Sequence, residues 1–263
     1  MYSKLKTKKL FLLDMDGTIY LDNDLFDGTL DFLDYVKSIG GRYIFMTNNS
    51  SKSVDKYIEK LSGMGIKATA DDFLTSTDAT ILYLNKKSYK KIYAFGTESF
   101  KDQLKKAGFP VTDVLEDDID CLCMGFDTEL TFKKLEDACI LLGRGVDYIA
   151  TNPDWVCPTS YGYVPDCGSV SQMLFNATKR KPYFIGKPQP DMPLLAKEKT
   201  GFSKDEAVVM GDRLYTDIAC GVNAGISTCF VLSGEGTMED VGKSDVKPEF
   251  IIGNIRELYD VLK

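Results

Sequence analysis

Four short apolar runs, each stopping abruptly near a polar or charged group, constrain this chain more than any other feature. Leu10–Leu13 runs into Asp14, Tyr43–Met46 into Thr47, Tyr183–Ile185 toward Lys187, and Ala207–Met210 toward Asp212. Runs this short and this uniformly apolar read as strands buried on both faces, as in a parallel sheet. Helical patterns stand between them: Val54, Tyr57, Ile58 and Leu61 lie at i, i+3, i+4 and i+7. The alternation predicts an α/β fold with a Rossmann-like, doubly wound parallel sheet. Ligands in such sheets bind beyond the carboxyl ends of the strands, so the four endings are expected to meet in one crevice.

Two endings lie near the start of the sequence and two near its end. The stretch between them has its own strand candidates (Lys91–Phe95, Cys121–Met124, Tyr148–Ala150) and a helix starting near Thr131. A smaller α/β domain, residues 78–182, is therefore expected as an insert into a core of residues 1–77 and 183–263. Ser203 to Glu206 is a capping-box pattern, and Gly225 follows a short helix expected to open near Thr216.

Composition narrows the chemistry. The 263 residues contain no histidine, which removes Ser-His-Asp triads, Cys-His pairs, phosphohistidine and His-ligated zinc together. Catalysis must then rest on carboxylates, lysine, arginine, hydroxyls, thiols or a metal held by oxygen. A formal net charge of −7 argues against a nucleic-acid or anionic-membrane partner. No run approaches the ~20 apolar residues that span a bilayer. Only Leu10–Leu13 follows the basic N-terminal stretch before Asp14, too short for a signal-peptide core. Seven cysteines, an odd number without a Cys-x-x-Cys pair, read as reduced thiols of a cytoplasmic protein, with Cys121 and Cys123 in the core.

Asp14 and Asp16 stand two apart at a strand end, so both carboxylates can point to one side. A carboxylate is ionised at neutral pH and needs no base to act as a nucleophile; a divalent cation and a lysine can screen its approach to an anion. Thr47, Asn48, Asn49 and Ser50 lead into the helix of Val54, where N–H groups suit phosphate oxygens. Lys187, between Gly186 and Pro188, places an ammonium at a strand end. Asp212 and Asp217 add two hard oxygen ligands of the kind Mg2+ prefers. Asp212 is read as a direct ligand, Asp217 as orienting water or the lysine. Taken singly, each segment also reads as ordinary structure: an Asp-Gly turn, a helix cap, a surface lysine. Asp22-Asn23-Asp24 is rejected as a calcium loop, because Asp27 stands where that loop needs glycine.

Together, in this order, Asp14-Met15-Asp16-Gly17-Thr18, Thr47-Asn48-Asn49, Gly186-Lys187-Pro188 and Gly211-Asp212-Arg213 with Asp217 resemble the four motifs of the haloacid dehalogenase (HAD) superfamily. The resemblance is to its NagD / p-nitrophenyl phosphatase branch (subfamily IIA), which carries an inserted C2-type cap, and it spans nearly the whole chain. Ala150-Thr151-Asn152-Pro153-Asp154, with Gly162 and Pro165, resembles that branch's cap signature. The resemblance implies a cytoplasmic Mg2+-dependent phosphatase of small phosphate monoesters such as nucleotide monophosphates, sugar phosphates, phosphoglycolate or p-nitrophenyl phosphate. In it Asp14 becomes an aspartyl phosphate and Asp16 serves as acid and then base. Thr47 and nearby amides, Asn48 and Asn49 among them, hold phosphate oxygens, and Lys187 neutralises them. Mg2+ is expected on Asp14, the Asp16 carbonyl and Asp212, with Asp217 in support.

The presence of Asp16 favours phosphate ester cleavage over carbon–halogen cleavage, since a halide leaves without a proton. Cys157 stands where some relatives have a histidine, and Asp166 where many have glycine. Trp155, Val156 and Cys157 are candidates for substrate selection, with packing inside the cap or between cap and core an equal reading for Trp155. A homodimer through the cap is an expectation by analogy alone. Two further readings remain: a phosphotransferase or mutase, and a signalling module that accepts phosphate on aspartate. Asp16 and the large insert weigh against the signalling module.

Overall fold

The computed structural model describes residues 2–159 and 161–263. Its strands in chain order begin with β1 (Leu10–Leu13), β2 (Tyr20–Leu21), β3 (Asp24–Leu25), β4 (Arg42–Thr47) and β5 (Phe73–Thr75). Then come β6 (Ile92–Phe95), β7 (Val111–Thr112), β8 (Cys121–Met124), β9 (Asp147–Ala150), β10 (Val156–Thr159), β11 (Gly162–Pro165) and β12 (Tyr183–Phe184). The chain closes with β13 (Ala207–Gly211), β14 (Ser227–Val231) and β15 (Phe250–Ile252). The fold is α/β with parallel sheets, as the alternation of runs requires.

Two compact units share the chain. The first comprises residues through Thr47, Val54–Leu74 and Lys187–Lys263; the second comprises Asn48–Ser53 and Thr75–Gly186. The first unit is built on a six-stranded sheet ordered β15-β14-β13-β1-β4-β5. Every residue of β1 and β13 is buried, which is why both runs are apolar without alternation. Around this sheet stand α1 (Thr29–Ser38) and α2 (Val54–Gly63), whose inward faces are Phe32, Leu33 and Val36 on one and Tyr57 and Leu61 on the other. Register matters most for function. Leu13 pairs with Met210 on one side and Phe45 on the other, so β13 runs one residue and β4 two residues past the end of β1.

The second unit has a five-stranded parallel sheet ordered β12-β9-β8-β6-β7 and a separate antiparallel hairpin of β10 and β11. Cys121 and Cys123 lie buried in its central strand, and all the cysteines are free thiols. Helix α3 of this unit (Ser76–Leu84) is capped by Thr75, α4 (Glu98–Lys106) by Thr97, and α5 (Phe132–Arg144) by Thr131. Helix α6 (Cys167–Thr178) is capped by Asp166, whose Oδ1 accepts from the Cys167 amide, which gives that departure from the family pattern a structural purpose.

Three local expectations change. The run at Tyr183 does not join the first sheet: β12 pairs with β9, Tyr183 opposite Ile149. A parallel strand after a helix returns beside the strand before it, and β9, α6 and β12 form such a unit. The Ser203–Glu206 box forms, with the Ser203 amide and hydroxyl donating to Glu206 at 3.0 and 2.8 Å, but it closes a turn because the chain at once enters β13. The short helix ended by Gly225 is present as Ala219–Ala224, but Thr216 lies ahead of it, inside a five-residue π-turn, Leu214–Ile218, that leads into it. Among the described residues, no helix is long and apolar enough to cross a membrane.

Candidate active site

Asp14 follows β1 directly, and its amide donates to the Met210 carbonyl at 2.9 Å, carrying the ladder one residue past the strand. The chain then turns sharply. Gly17 adopts φ +80°, a left-handed conformation that glycine enters without penalty, and its amide donates to the Tyr20 carbonyl at 2.8 Å. This turn leaves the Asp16 side chain half exposed, within reach of the Tyr20 hydroxyl at 3.4 Å and the Lys60 ammonium at 3.9 Å.

Lys187 is 2 % exposed, and its ammonium donates to Asp14 Oδ1 at 2.6 Å, Asp217 Oδ1 at 2.5 Å and the Met46 carbonyl at 3.2 Å. One cation thus ties together the ends of β1 and β4 and the π-turn after β13. That turn aims Asp217 inward: the amides of Asp217 and Ile218 both donate to the Arg213 carbonyl, at 3.1 and 3.2 Å, while Asp217 Oδ2 accepts from the Arg213 amide. Single π-turns of this kind recur at functional sites.

Asp212 is held differently. Its Oδ2 accepts from the Glu235 amide at 2.7 Å, and its own carbonyl accepts from the Gly236 amide at 3.1 Å. Two glycines make room for it: a Cβ on Gly17 would come within 2.5 Å of Asp212 Oδ2, and one on Gly234 within 2.0 Å. The other oxygen, Asp212 Oδ1, is buried with no hydrogen-bond partner among the described residues.

Carboxylate oxygens of Asp14, Asp212 and Asp217 all lie within 4.8 Å of one another. Three carboxylates facing one ammonium leave an excess of negative charge out of water. Burial, opposed by Lys187 and reinforced by Asp217 and Asp212, pushes the Asp14 carboxyl well above its usual range. Burial and the nearby Asp217 push Asp212 to about 6. Burial would depress Lys187, but Asp14 and Asp217 outweigh it and raise the ammonium's pKa. Such a cluster takes up either protons or a hard cation. The unpartnered Asp212 oxygen and the all-carboxylate donor set fit a divalent metal.

The other expected site residues fall as follows. Thr47 closes β4 and is buried. Asn48 and Asn49 belong to the second unit, where the Asn48 carbonyl accepts from Ser76 Oγ at 2.6 Å and Asn152 Nδ2 at 2.8 Å. The Asn49 amide oxygen accepts from the Ser51 amide and hydroxyl, at 2.9 and 2.7 Å, and its Nδ2 donates to Cys157 Sγ at 3.9 Å. Trp155 is 54 % exposed just before the β10–β11 hairpin, so it is not part of the second unit's core; Val156 and Cys157 follow on β10.

Reading the sequence missed the loop Ser233–Gly236, which holds Asp212, although the apolar run Cys229–Leu232 leads directly into its Ser-Gly-Glu-Gly. It also missed Tyr20 and Lys60, for which no local signal exists.

Comparison with known proteins shows the family and the fold. Residues 11–110 match the family of haloacid dehalogenase-like hydrolases, and residues 184–258 match the family described as HAD-hydrolase-like. An acid sugar phosphatase of Staphylococcus aureus (strain MRSA252) is 34% identical over 254 residues, covering 96% of this chain and 97% of that one. The crystal structure of a 4-nitrophenylphosphatase from Thermotoga maritima superposes with a TM-score of 0.92 at 40% identity, covering 99% of both chains. A glycerol phosphate phosphatase of Mycobacterium tuberculosis, solved with magnesium, superposes with a TM-score of 0.91 at 28% identity, over 100% of this chain and 80% of that one.

Proposed function

The chain belongs to the haloacid dehalogenase-like hydrolases, in the branch of NagD-like and p-nitrophenyl phosphatases, and from that premise we propose that it hydrolyses small phosphate monoesters, sugar phosphates among them, through an aspartyl phosphate on Asp14. The observation that carries this reading is the Lys187 ammonium bonded to Asp14 and Asp217 beside Asp212.

In the first step an Asp14 carboxylate oxygen bonds to phosphorus and the phosphorus–ester oxygen bond breaks, while Asp16 delivers its proton to the departing oxygen. In the second, Asp16 takes a proton from water as that water's oxygen bonds to phosphorus, and the phosphorus–Asp14 bond breaks to release inorganic phosphate. Lys187 holds one Asp14 oxygen, which orients the nucleophile, and offsets negative charge as it builds on phosphorus. Thr47, Asn48 and Asn49 are assigned to the phosphate oxygens. Asp14, the Asp16 carbonyl and Asp212, supported by Asp217, would hold Mg2+, which supplies the positive charge that lets one anion approach another.

The inserted unit is assigned the role of a cap, with Trp155, Val156 and Cys157 selecting the leaving group. The free thiols suit a reducing cytoplasm. Turnover of p-nitrophenyl phosphate and of sugar phosphates with Mg2+ is expected, and Asp14→Asn abolishes both; an Asp14→Asn protein of undiminished activity would remove the nucleophile from the mechanism.

A further inference from the structure

Asp16 presents a physical problem. Its side chain is 50% exposed, and a half-exposed carboxyl samples several rotamers unless something restrains it. Two groups in the same unit touch it from different sides. The Tyr20 hydroxyl lies 3.4 Å from Oδ2, and the Lys60 ammonium lies 3.9 Å from Oδ1. The same ammonium sits 3.8 Å from the centroid of the Tyr20 ring, so the two groups also brace each other.

Neither placement is accidental to the fold. Tyr20 is fully buried, and its carbonyl accepts the Gly17 amide that closes the turn carrying Asp16. Its hydroxyl is therefore tied to the conformation of that turn. Lys60 rides on α2, whose buried residues Tyr57 and Leu61 set the helix's rotation. A lysine on such a helix ordinarily extends into water, yet this one is only 26% exposed and folds over an aromatic face. Contacts of 3.4 and 3.9 Å are long, which suits a carboxyl that must give up and regain a proton while keeping its direction.

We infer that Tyr20 and Lys60 are positioning residues that aim the Asp16 carboxyl at the ester oxygen of the substrate. The inference rests on the reading of Asp16 as acid and base. Its consequence is selective for the leaving group. An alkoxide is too basic to depart without a proton, so alkyl phosphates depend on a well-aimed acid. A nitrophenolate is stabilised by its ring and departs as the anion, so p-nitrophenyl phosphate depends on it far less.

The test compares kcat for p-nitrophenyl phosphate with kcat for whichever sugar or glycerol phosphate the wild type turns over fastest, at saturating Mg2+. Tyr20→Phe removes only the hydroxyl, and Lys60→Met keeps the length of the stem without the charge. Each is expected to lower the alkyl-to-aryl ratio about tenfold, within the ~100-fold that misplacement of a reacting group can cost. Lys60→Arg restores the ratio to within about threefold by returning the cation, which loss of packing alone does not predict. Asp16→Asn sets the ceiling, with a fall of about 100-fold or more in the same ratio. Equal losses on both substrates in Tyr20→Phe and Lys60→Met, alongside a selective loss in Asp16→Asn, would overturn the positioning role and leave Asp16 as the acid. Equal losses in Asp16→Asn itself would remove Asp16 as the acid, and the positioning role with it.

Discussion

Adding one methyl group at Gly234 tests the site without replacing any proposed ligand. A Cβ there would stand 2.0 Å from Asp212 Oδ2, 2.5 Å from its Cγ and 2.6 Å from its Cβ. Ordinary contact begins near 3.4 Å, so the carboxylate and the loop must part by more than about 1 Å. A change of side-chain rotamer cannot relieve this, because Asp212 Cβ itself is in the way and Oδ2 is pinned to the Glu235 amide. Gly234 has no left-handed backbone, so Gly234→Ala carries no conformational penalty beyond this overlap. Overpacking of this kind costs about 1–3 kcal/mol, a fall in melting temperature of a few degrees for a chain of this size. A shift of about 1 Å in a reacting site costs up to ~100-fold in rate. Gly234→Ala is therefore expected to remain folded while its half-saturating Mg2+ concentration rises about tenfold or more, or its kcat falls by a similar factor. Titration of p-nitrophenyl phosphate turnover with Mg2+, beside thermal unfolding, reads both. Gly242→Ala, where a Cβ meets nothing within 4 Å, is the control. If Gly234→Ala kept the wild-type metal dependence and kcat, Asp212 would not be the ligand that the glycine cradle accommodates.

Asp217→Ala strips the 2 %-exposed Lys187 of a carboxylate partner, and removing half of a buried ion pair costs about 3–5 kcal/mol; the surviving bond to Asp14 places the expected loss at the lower end, and unfolding in urea with no loss of stability would count against the pairing. The metal-free protein carries a pH signature. Asp212 rises from 3.8 to about 6 on folding, so between those values the folded state binds more protons than the unfolded one, and this group's contribution to stability falls as pH rises. Asp212→Asn removes that loss. It should equal the wild type below pH 4 and exceed it above pH 6 by an amount of the order of 2–3 kcal/mol in chelator, with the order reversed by Mg2+. Thermal melts from pH 4 to 7 showing the same wild-type–mutant difference at every pH would refute this.

Much of the site is legible in the order of residues along the chain. Asp14 and Asp212 end up together because each lies just past the end of a fully apolar run, and such runs have little choice but a buried parallel strand. Lys187 is picked out by a reason that proves incomplete. Its preceding strand is only two residues long and pairs with β9 in the other sheet, so the lysine does not sit at a tip of the sheet that bears Asp14. A short run states that a strand exists but not which sheet completes it, since pairing depends on partners far along the chain.

The sequence by itself determined the α/β class, the runs that become β1, β4, β8 and β13, and the residue types at the ends of β1, β4 and β13, because periodicity and end residues are local properties of the chain. Tertiary structure alone decided the register of β13, β1 and β4, the π-turn that aims Asp217, the glycine cradle around Asp212, and the grip of Tyr20 and Lys60 on Asp16. Each of these depends on the register and close approach of segments up to some 200 residues apart, as with Gly17 and Gly234 on either side of Asp212. Such distances are set only when the whole core packs, because a side chain's neighbours in space are chosen by the volume that must be filled and not by its neighbours in sequence.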